Sequence, residues 1–578
     1  MSVAVAVLAC LWAAFPAVAS SPTAASDATR SGYIVQFRVE PLATTPRVTG
    51  DRFHPRNPQA AAHRKFLDAT QRRVLFGAGV SEAHVGYSYR TTVAGFSARL
   101  TAAEAARIRA QQEVASVAAD QIRTVPHRRS AAFDEGKPVH HAALARAAAA
   151  GEPSGSAAVV APLAEADLRG QPAEFLGLPE GLWARLGGPE KAGEDVVVGV
   201  IDGGIYPEHP SFADQPVAPD GSQNYIGPAY GPPPATWRGT CQEGEAWPAT
   251  TCNNKLIGAR YFVDGLGVEK VAEQEFLSPR DVEGHGTSTA SIAAGNYGVD
   301  PSYLGNDLGL GLISGIAPRA RIAHYKAFWA APAADAGIAA GSDLVAAIDT
   351  AVADGIDVLS YAIGGELGAT LPISDQSTML DVEAQALLRA FDAGVVPVLP
   401  AGNAGPDRDT VEAPGHTPWA ISAGASALPV TYAATATISG GEGGTVVTAQ
   451  GISPTPALPP TPLIDGASAA APGATPAAAE RCAEGSLDPA LVAGKVVICR
   501  PESFLVGSAV LSLAGAAGGI LYQPQARPFR DTWDVWLPSV IVSATDAATI
   551  RQLIASAPNA TAAFTAGTLT PTATGDVV

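Results

Sequence analysis

Lysine and arginine are absent before Arg30, and charge is sparse throughout: charged residues make up 16% of the 578 positions, with a formal net charge of −18. That surplus of negative charge repels a polyanion, which excludes a general nucleic-acid-binding role. Cysteine is scarce too, five in all, with no Cys-x-x-Cys spacing, which argues against a zinc site. No Asp-rich loop with ligand spacing stands out, so neither calcium nor any other metal or cofactor is implied. Apolar runs long enough for a stable membrane span are also missing. Residues 3–19 (VAVAVLACLWAAFPAVA) fall short of the roughly 20 residues a span needs, and no charged stop-transfer segment follows. With Ala17-Val18-Ala19 at its end, this run is read as a cleaved signal peptide, residues 1–19, and the protein as secreted. A second run, Leu505 to Tyr522, carries four glycines and reads as helix, turn and buried strand.

What is present fits a folded, multidomain chain. Hydrophobic residues reach 47%, and the length suggests about three to five domains. Cys10 leaves with the signal, and the other four cysteines fall into two local pairs, Cys241 with Cys252 and Cys482 with Cys499. An even count on an exported chain predicts two disulfides. Residues 31–126 show a βαββαβ pattern, with a capping box expected at Thr101 and Glu104, and predict a small sheet with two helices on one face. Residues 127–170 are Ala-, Pro- and Gly-rich and read as a linker. From 171 to 430, apolar strands (Val196 to Ile201, Ile322 to Phe328, Val358 to Ile363, Val395 to Leu399) alternate with helical stretches at Asp343 to Val352 and Val382 to Phe391. The fold class is therefore α/β, a doubly wound parallel sheet. Residues 431–565 change to short β-rich segments and read as a separate inserted domain, after which 566–578 lead back.

Three motifs sit at element ends of that sheet. Asp202 follows an apolar strand and precedes two glycines. His285 stands between Gly284 and Gly286 before a run of small residues, at the expected start of a helix. Asn403 lies in PAGNAGP after another apolar strand, where a side-chain amide can donate to a developing oxyanion. Each motif alone is compatible with an ordinary turn. An Asp, a His and an Asn in this chain order on one parallel sheet are together the parts of a subtilisin-type site.

With VVVGVIDGGIYPEHPSF, CNNKLIGARYF, SPRDVEGHGTSTASIAAG, GIAPRARIAHYK and PAGNAGP, the chain resembles subtilases of the cucumisin-like branch. The resemblance implies a serine endopeptidase acting on proteins and peptides. It makes His285 the general base, Asp202 its orienting carboxylate and Asn403 the oxyanion-hole donor. Ala362, Ile363 and Gly364 match the family's substrate-binding strand, with Ala362 where serine is usual. Ser288 likewise replaces a customary histidine. Residues 31–126 resemble the family's inhibitor I9-type propeptide, an intramolecular partner that blocks the cleft, and 431–565 resemble a protease-associated domain.

The family's nucleophile, a serine on a Gly-Thr-Ser-Met-Ala-type turn, has no counterpart. Gly286-Thr287-Ser288-Thr289-Ala290 imitates the string but belongs to the histidine motif. The chain is therefore expected to stop before the nucleophile and to be inactive by itself. A catalytically dead chain that binds peptides or proteases is the alternative reading.

Overall fold

The computed structural model describes residues 29–44, 58–126, 172–215, 228–299, 312–331, 336–364, 381–405, 410–426, 430–440, 444–501, 504–523 and 535–571. The signal-peptide reading, the 127–170 linker and the last seven residues lie outside them.

The first unit contains β1 (Ser31–Phe37), α1 (Pro58–Ala78), β2 (Val85–Tyr89), β3 (Gly95–Leu100), α2 (Ala102–Arg109) and β4 (Val114–Ala119). Its sheet runs β2-β3-β1-β4 with antiparallel pairings. Leu67, Val74 and Leu75 of α1 and Ile108 of α2 pack into one core with Val35, Phe37 and Phe96 of the sheet. The Thr101–Glu104 capping box opens α2, satisfying two backbone donors that a helix start would otherwise leave unpaired. A further strand that the sequence did not suggest, β5 (Ile122–Pro126), follows and leaves this sheet.

The second unit is the parallel sheet. Its elements are β6 (Val197–Asp202), β7 (Leu256–Tyr261), α3 (His285–Ala294), β8 (Arg321–Lys326), β9 (Trp329–Ala330), β10 (Ala336–Ala340), α4 (Gly341–Asp354), β11 (Val358–Tyr361), α5 (Val382–Asp392), β12 (Val396–Pro400) and β13 (Ile421–Ala423). Six strands lie in the order β13-β12-β11-β6-β8-β7, every neighbour pair parallel. All six residues of β6 and of β8 are buried, as in strands covered on both faces, although β8 carries Arg321, His324 and Lys326. The chain builds β7 and β8 on one side of β6 and β11 to β13 on the other. The strand order therefore reverses at β6, and ligands of such sheets bind beyond the carboxyl ends of strands at that reversal.

Residues 430–571 form the third unit, with strands β14 (Val430–Ser439), β15 (Val446–Ile452), β16 (Leu458–Asp465) and β17 (Val496–Cys499), helix α6 (Phe504–Leu513), strands β18 (Gly518–Tyr522) and β19 (Ser539–Val542), helix α7 (Ala544–Ser556), and strands β20 (Thr561–Phe564) and β21 (Thr568–Pro571). The order β15-β19-β18-β17-β16-β20-β14, closed by pairing of β14 with β15, makes a seven-stranded ring with β21 attached to β14. Strands β16 to β19 pair in parallel while β14 pairs antiparallel with its neighbours, so this β-rich unit has a mixed sheet. The apolar run from Leu505 to Tyr522 splits into α6 and the wholly buried β18. No helix among the described residues is long and apolar enough to cross a membrane. Both disulfides are formed, Cys241–Cys252 and Cys482–Cys499.

Candidate active site

Asp202 is the last residue of β6 and is 1% exposed. A carboxylate buried this deeply needs hydrogen-bond donors, and three groups supply them. The Gly203 N–H donates to Oδ1 at 2.6 Å, the Thr289 hydroxyl to Oδ2 at 2.9 Å, and His285 Nδ1 to Oδ1 at 2.8 Å. The histidine is thereby fixed in the tautomer whose Nε2 accepts a proton. Its side chain is 46% exposed, so the ring joins a buried carboxylate to solvent.

The position of His285 follows from two glycines and one aspartate. Gly284 has φ +99°, a conformation that L side chains rarely adopt. A Cβ on Gly286 would stand 2.2 Å from the Gly204 carbonyl oxygen, so only glycine lets α3 start against the turn after β6. Asp281 ties down the approach. Its Oδ1 accepts the N–H groups of Glu283 and Gly284, and its Oδ2 accepts the N–H and hydroxyl of Thr287.

The hydrogen bond to Asp202 raises the His285 pKa to about 8, against the opposing effect of partial burial. The raised value means that the ring is protonated at neutral pH and becomes a competent base only as pH rises through about 8. The stabilisation from the Asp202 contact is complete below the free-histidine value and fades through the same interval. An NMR titration of the His285 ring in the 578-residue chain should show its midpoint near 8. The midpoint should fall in Asp202→Asn; an unchanged midpoint in the variant would disprove the coupling.

The other sequence-derived residues lie on the same edge. Tyr361 aligns with Ile201 and Ser360 with Val398, so the chain leaves the sheet at Asp202, Ala362 and Pro400 on three adjacent strands, each about 5 Å from the next. Ile363 is buried, and Ala362 and Gly364 are partly exposed. Asn403 lies three residues beyond β12 and is exposed, its backbone N–H donating to Glu412 at 2.8 Å. Gly402, at φ +98°, would place a Cβ 2.2 Å from that same carboxylate. Ser288 lies in the first turn of α3, its N–H bonded to the Gly284 carbonyl, three residues from His285 on the same helix.

Sequence reasoning missed four features. Thr289 and Asp281 sit inside the quoted histidine motif, and only their distances reveal their work. His324 on β8 is fully buried, and neither ring nitrogen has a partner among the described residues. Burial pushes its pKa down to about 4, so this ring beneath Gly286 stays neutral. The fourth is an edge: β10 pairs antiparallel with β5, Ala336 facing Pro126 and Ala340 facing Ile122. The segment after the first unit thus lies as an added strand on the second. Among the described residues no group of three His, Cys, Asp or Glu is placed to hold a metal.

The parallel sheet, together with the small unit whose tail pairs with β10 and β9 in a separate three-stranded sheet, defines a subtilisin-like fold joined to an inhibitor-type domain. The chain belongs to the subtilase family, which it matches over residues 193–489, and residues 32–126 match peptidase inhibitor I9. It is 34% identical to the subtilisin-like protease SBT1.5 of Arabidopsis thaliana over 72% of this chain and 44% of that one. It is also 34% identical to subtilisin-like protease SBT1.4 of the same organism, over 82% and 52%. The chain therefore spans about half the length of these curated relatives. Among solved structures, Sphericase aligns with a TM-score of 0.24 and 22% identity, over 41% of this chain and 55% of that one.

Proposed function

We propose that the protein is the precursor of a secreted serine endopeptidase that hydrolyses peptide bonds of proteins. The observation that carries this reading is the His285 Nδ1–Asp202 Oδ1 hydrogen bond at the sheet's reversal point. In this mechanism, an extended peptide pairs with the edges at Ala336–Ala340 and Ala362–Gly364. His285 Nε2 takes the proton of a serine hydroxyl as that oxygen attacks the scissile carbonyl, and later returns it to the leaving amine. Asp202 stabilises the imidazolium, and the Asn403 amide donates to the oxyanion, an interaction typically worth about 3–4 kcal/mol. The 578 residues hold no serine on the expected turn, and we assign the nucleophile to sequence outside them. The third unit is read as a protease-associated domain.

Residues 31–126 act, in this reading, as the intramolecular inhibitor, with β5 held on β10 as a substrate would be. Two carboxylates, the buried Asp349 and the half-buried Asp120, anchor it. Asp349 of α4 accepts the N–H groups of Arg90, Thr91, Thr92 and Val93, while Asp120 accepts the N–H and hydroxyl of Ser342 at the start of α4. Asp349→Ala leaves four buried donors unpaired and is expected to speed amide exchange throughout residues 85–100 by at least about tenfold. Unchanged protection there would mean that Asp349 does not hold the unit.

The functional test is hydrolysis of an unfolded protein by the intact secreted enzyme once residues 31–126 have been cut away. Turnover that disappears in His285→Ala supports the proposal. The 578-residue polypeptide alone should be slower by about a millionfold, the loss expected when a triad lacks its nucleophile. Absence of turnover from every form would favour a peptide-binding role.

A further inference from the structure

The strap β5 places one basic side chain in a buried acidic recess. Arg123 faces Ala339 across the β5–β10 pairing. Its Nη2 lies 2.5 Å from Glu383 Oε2 and 3.3 Å from Asp381 Oδ2. Glu383 is in the first turn of α5 and its side chain is 3% exposed; that of Arg123 is 16% exposed. The buried Tyr361 hydroxyl donates to Glu383 Oε1 at 2.6 Å, leaving the other carboxylate oxygen to the guanidinium. Tyr361 ends β11, directly before Ala362. The recess therefore adjoins both stretches assigned to the peptide.

A carboxylate buried this far is costly without a matching charge. Burial pushes the Glu383 pKa up, and Arg123 pulls it back. Burial would lower Arg123, but Glu383, Tyr361 and Asp381 together outweigh that and hold it above its ordinary value. The balancing cation comes from the strap, while the acids belong to the parallel-sheet unit. Once the strap leaves, Glu383 keeps, among the described residues, the Tyr361 hydroxyl and the positive end of α5. The next peptide to lie on β10 restores the pair only if it carries a basic residue in the same register.

We infer that Glu383, Asp381 and Tyr361 form a specificity subsite that selects a basic side chain, arginine above all, at the residue facing Ala339 in a bound extended peptide. The inference rests on the peptide-cleft reading above and adds to it the chemical class of substrate. Arginine suits the recess because its guanidinium stays charged when buried and its Nη2 reaches both carboxylates, whereas lysine loses its charge more readily on burial.

The test uses the full chain carrying Arg123→Ala, so that the strap's own claim on the recess is weakened. The probes are a fluorescein-labelled peptide with the sequence of residues 121–127 and the same peptide with norleucine for arginine. By fluorescence anisotropy, the arginine peptide should bind about tenfold tighter or more, and adding Glu383→Gln should abolish the difference. Gln retains an oxygen for the Tyr361 hydroxyl. Should that variant fail to fold, Asp381→Asn, which preserves the helix cap, should reduce the preference by severalfold. Binding of both peptides with equal affinity, or a preference untouched by these changes, would overturn the subsite alone. No binding of either peptide would overturn the cleft reading and the subsite with it.

Discussion

Under the proposed mechanism, replacing Asp202 by asparagine lowers kcat of the full-length protein by about ten-thousandfold, with KM little changed. The reasoning is geometric. Asp202 Oδ1 accepts from His285 Nδ1 and from the Gly203 N–H, while Oδ2 accepts from Thr289. An amide has one acceptor oxygen and one donor NH₂, so it cannot accept on both sides. If its nitrogen faces the ring, Nδ1 must become the acceptor, the proton moves to Nε2, and the general base is lost. Thr289→Val removes one donor to Asp202 without changing the tautomer and should cost far less. A loss in Asp202→Asn of only a few-fold, measured as kcat on one peptide substrate, would contradict the assigned roles.

The second large effect concerns stability. Lys326, the last residue of β8, is fully buried, and its ammonium donates to Glu275 Oε2 and to the Arg280 carbonyl, each at 2.7 Å. Glu275 Oε1 accepts the Ala330 N–H at 2.9 Å, and the ammonium lies 4.4 Å above the Trp329 ring. Burial already pushes the Glu275 pKa up, and Lys326 opposes that push. Lys326→Met leaves the carboxylate buried without its cation and should destabilise the fold by about 3–5 kcal/mol. Adding Glu275→Gln should recover much of the loss, since a neutral amide is cheaper to bury. Denaturant unfolding of the single and double variants measures this. Equal stability of Lys326→Met and the parent would show that the pair contributes nothing.

Because Lys326 pairs with Asp202 in the β6–β8 register, the ion pair also anchors the segment through Arg280 that leads to Asp281 and His285. Sequence alone could not show this. The run IAHYKAF reads as a buried strand, and it is one, but nothing in the pattern says that its histidine and lysine point inward and that, among the described residues, only the lysine finds a partner. Asp202 and His285 were legible because strand ends and flanking glycines leave a local signal. The pairing of β5 with β10 was not. AGIAA has no alternation, and its partner lies more than 200 residues earlier, so only tertiary contact makes it a strand. The third unit was legible as short strands with breaks. Its parallel core escaped notice because four-residue strands such as Val496–Cys499 and Ser539–Val542 are too short to carry a directional pattern. Arg123 carries no local signal of its role, because its acidic partners lie some 260 residues away.

The central claim is that Asp202 and His285 serve a serine supplied from outside these 578 residues. Fluorophosphonate labelling of the full-length protein isolated from its own host, followed by peptide mapping, tests it most directly. The account predicts a single labelled serine outside residues 1–578, with labelling abolished in His285→Ala. A label on Ser288 or any other serine within these residues, or labelling indifferent to His285, would contradict it.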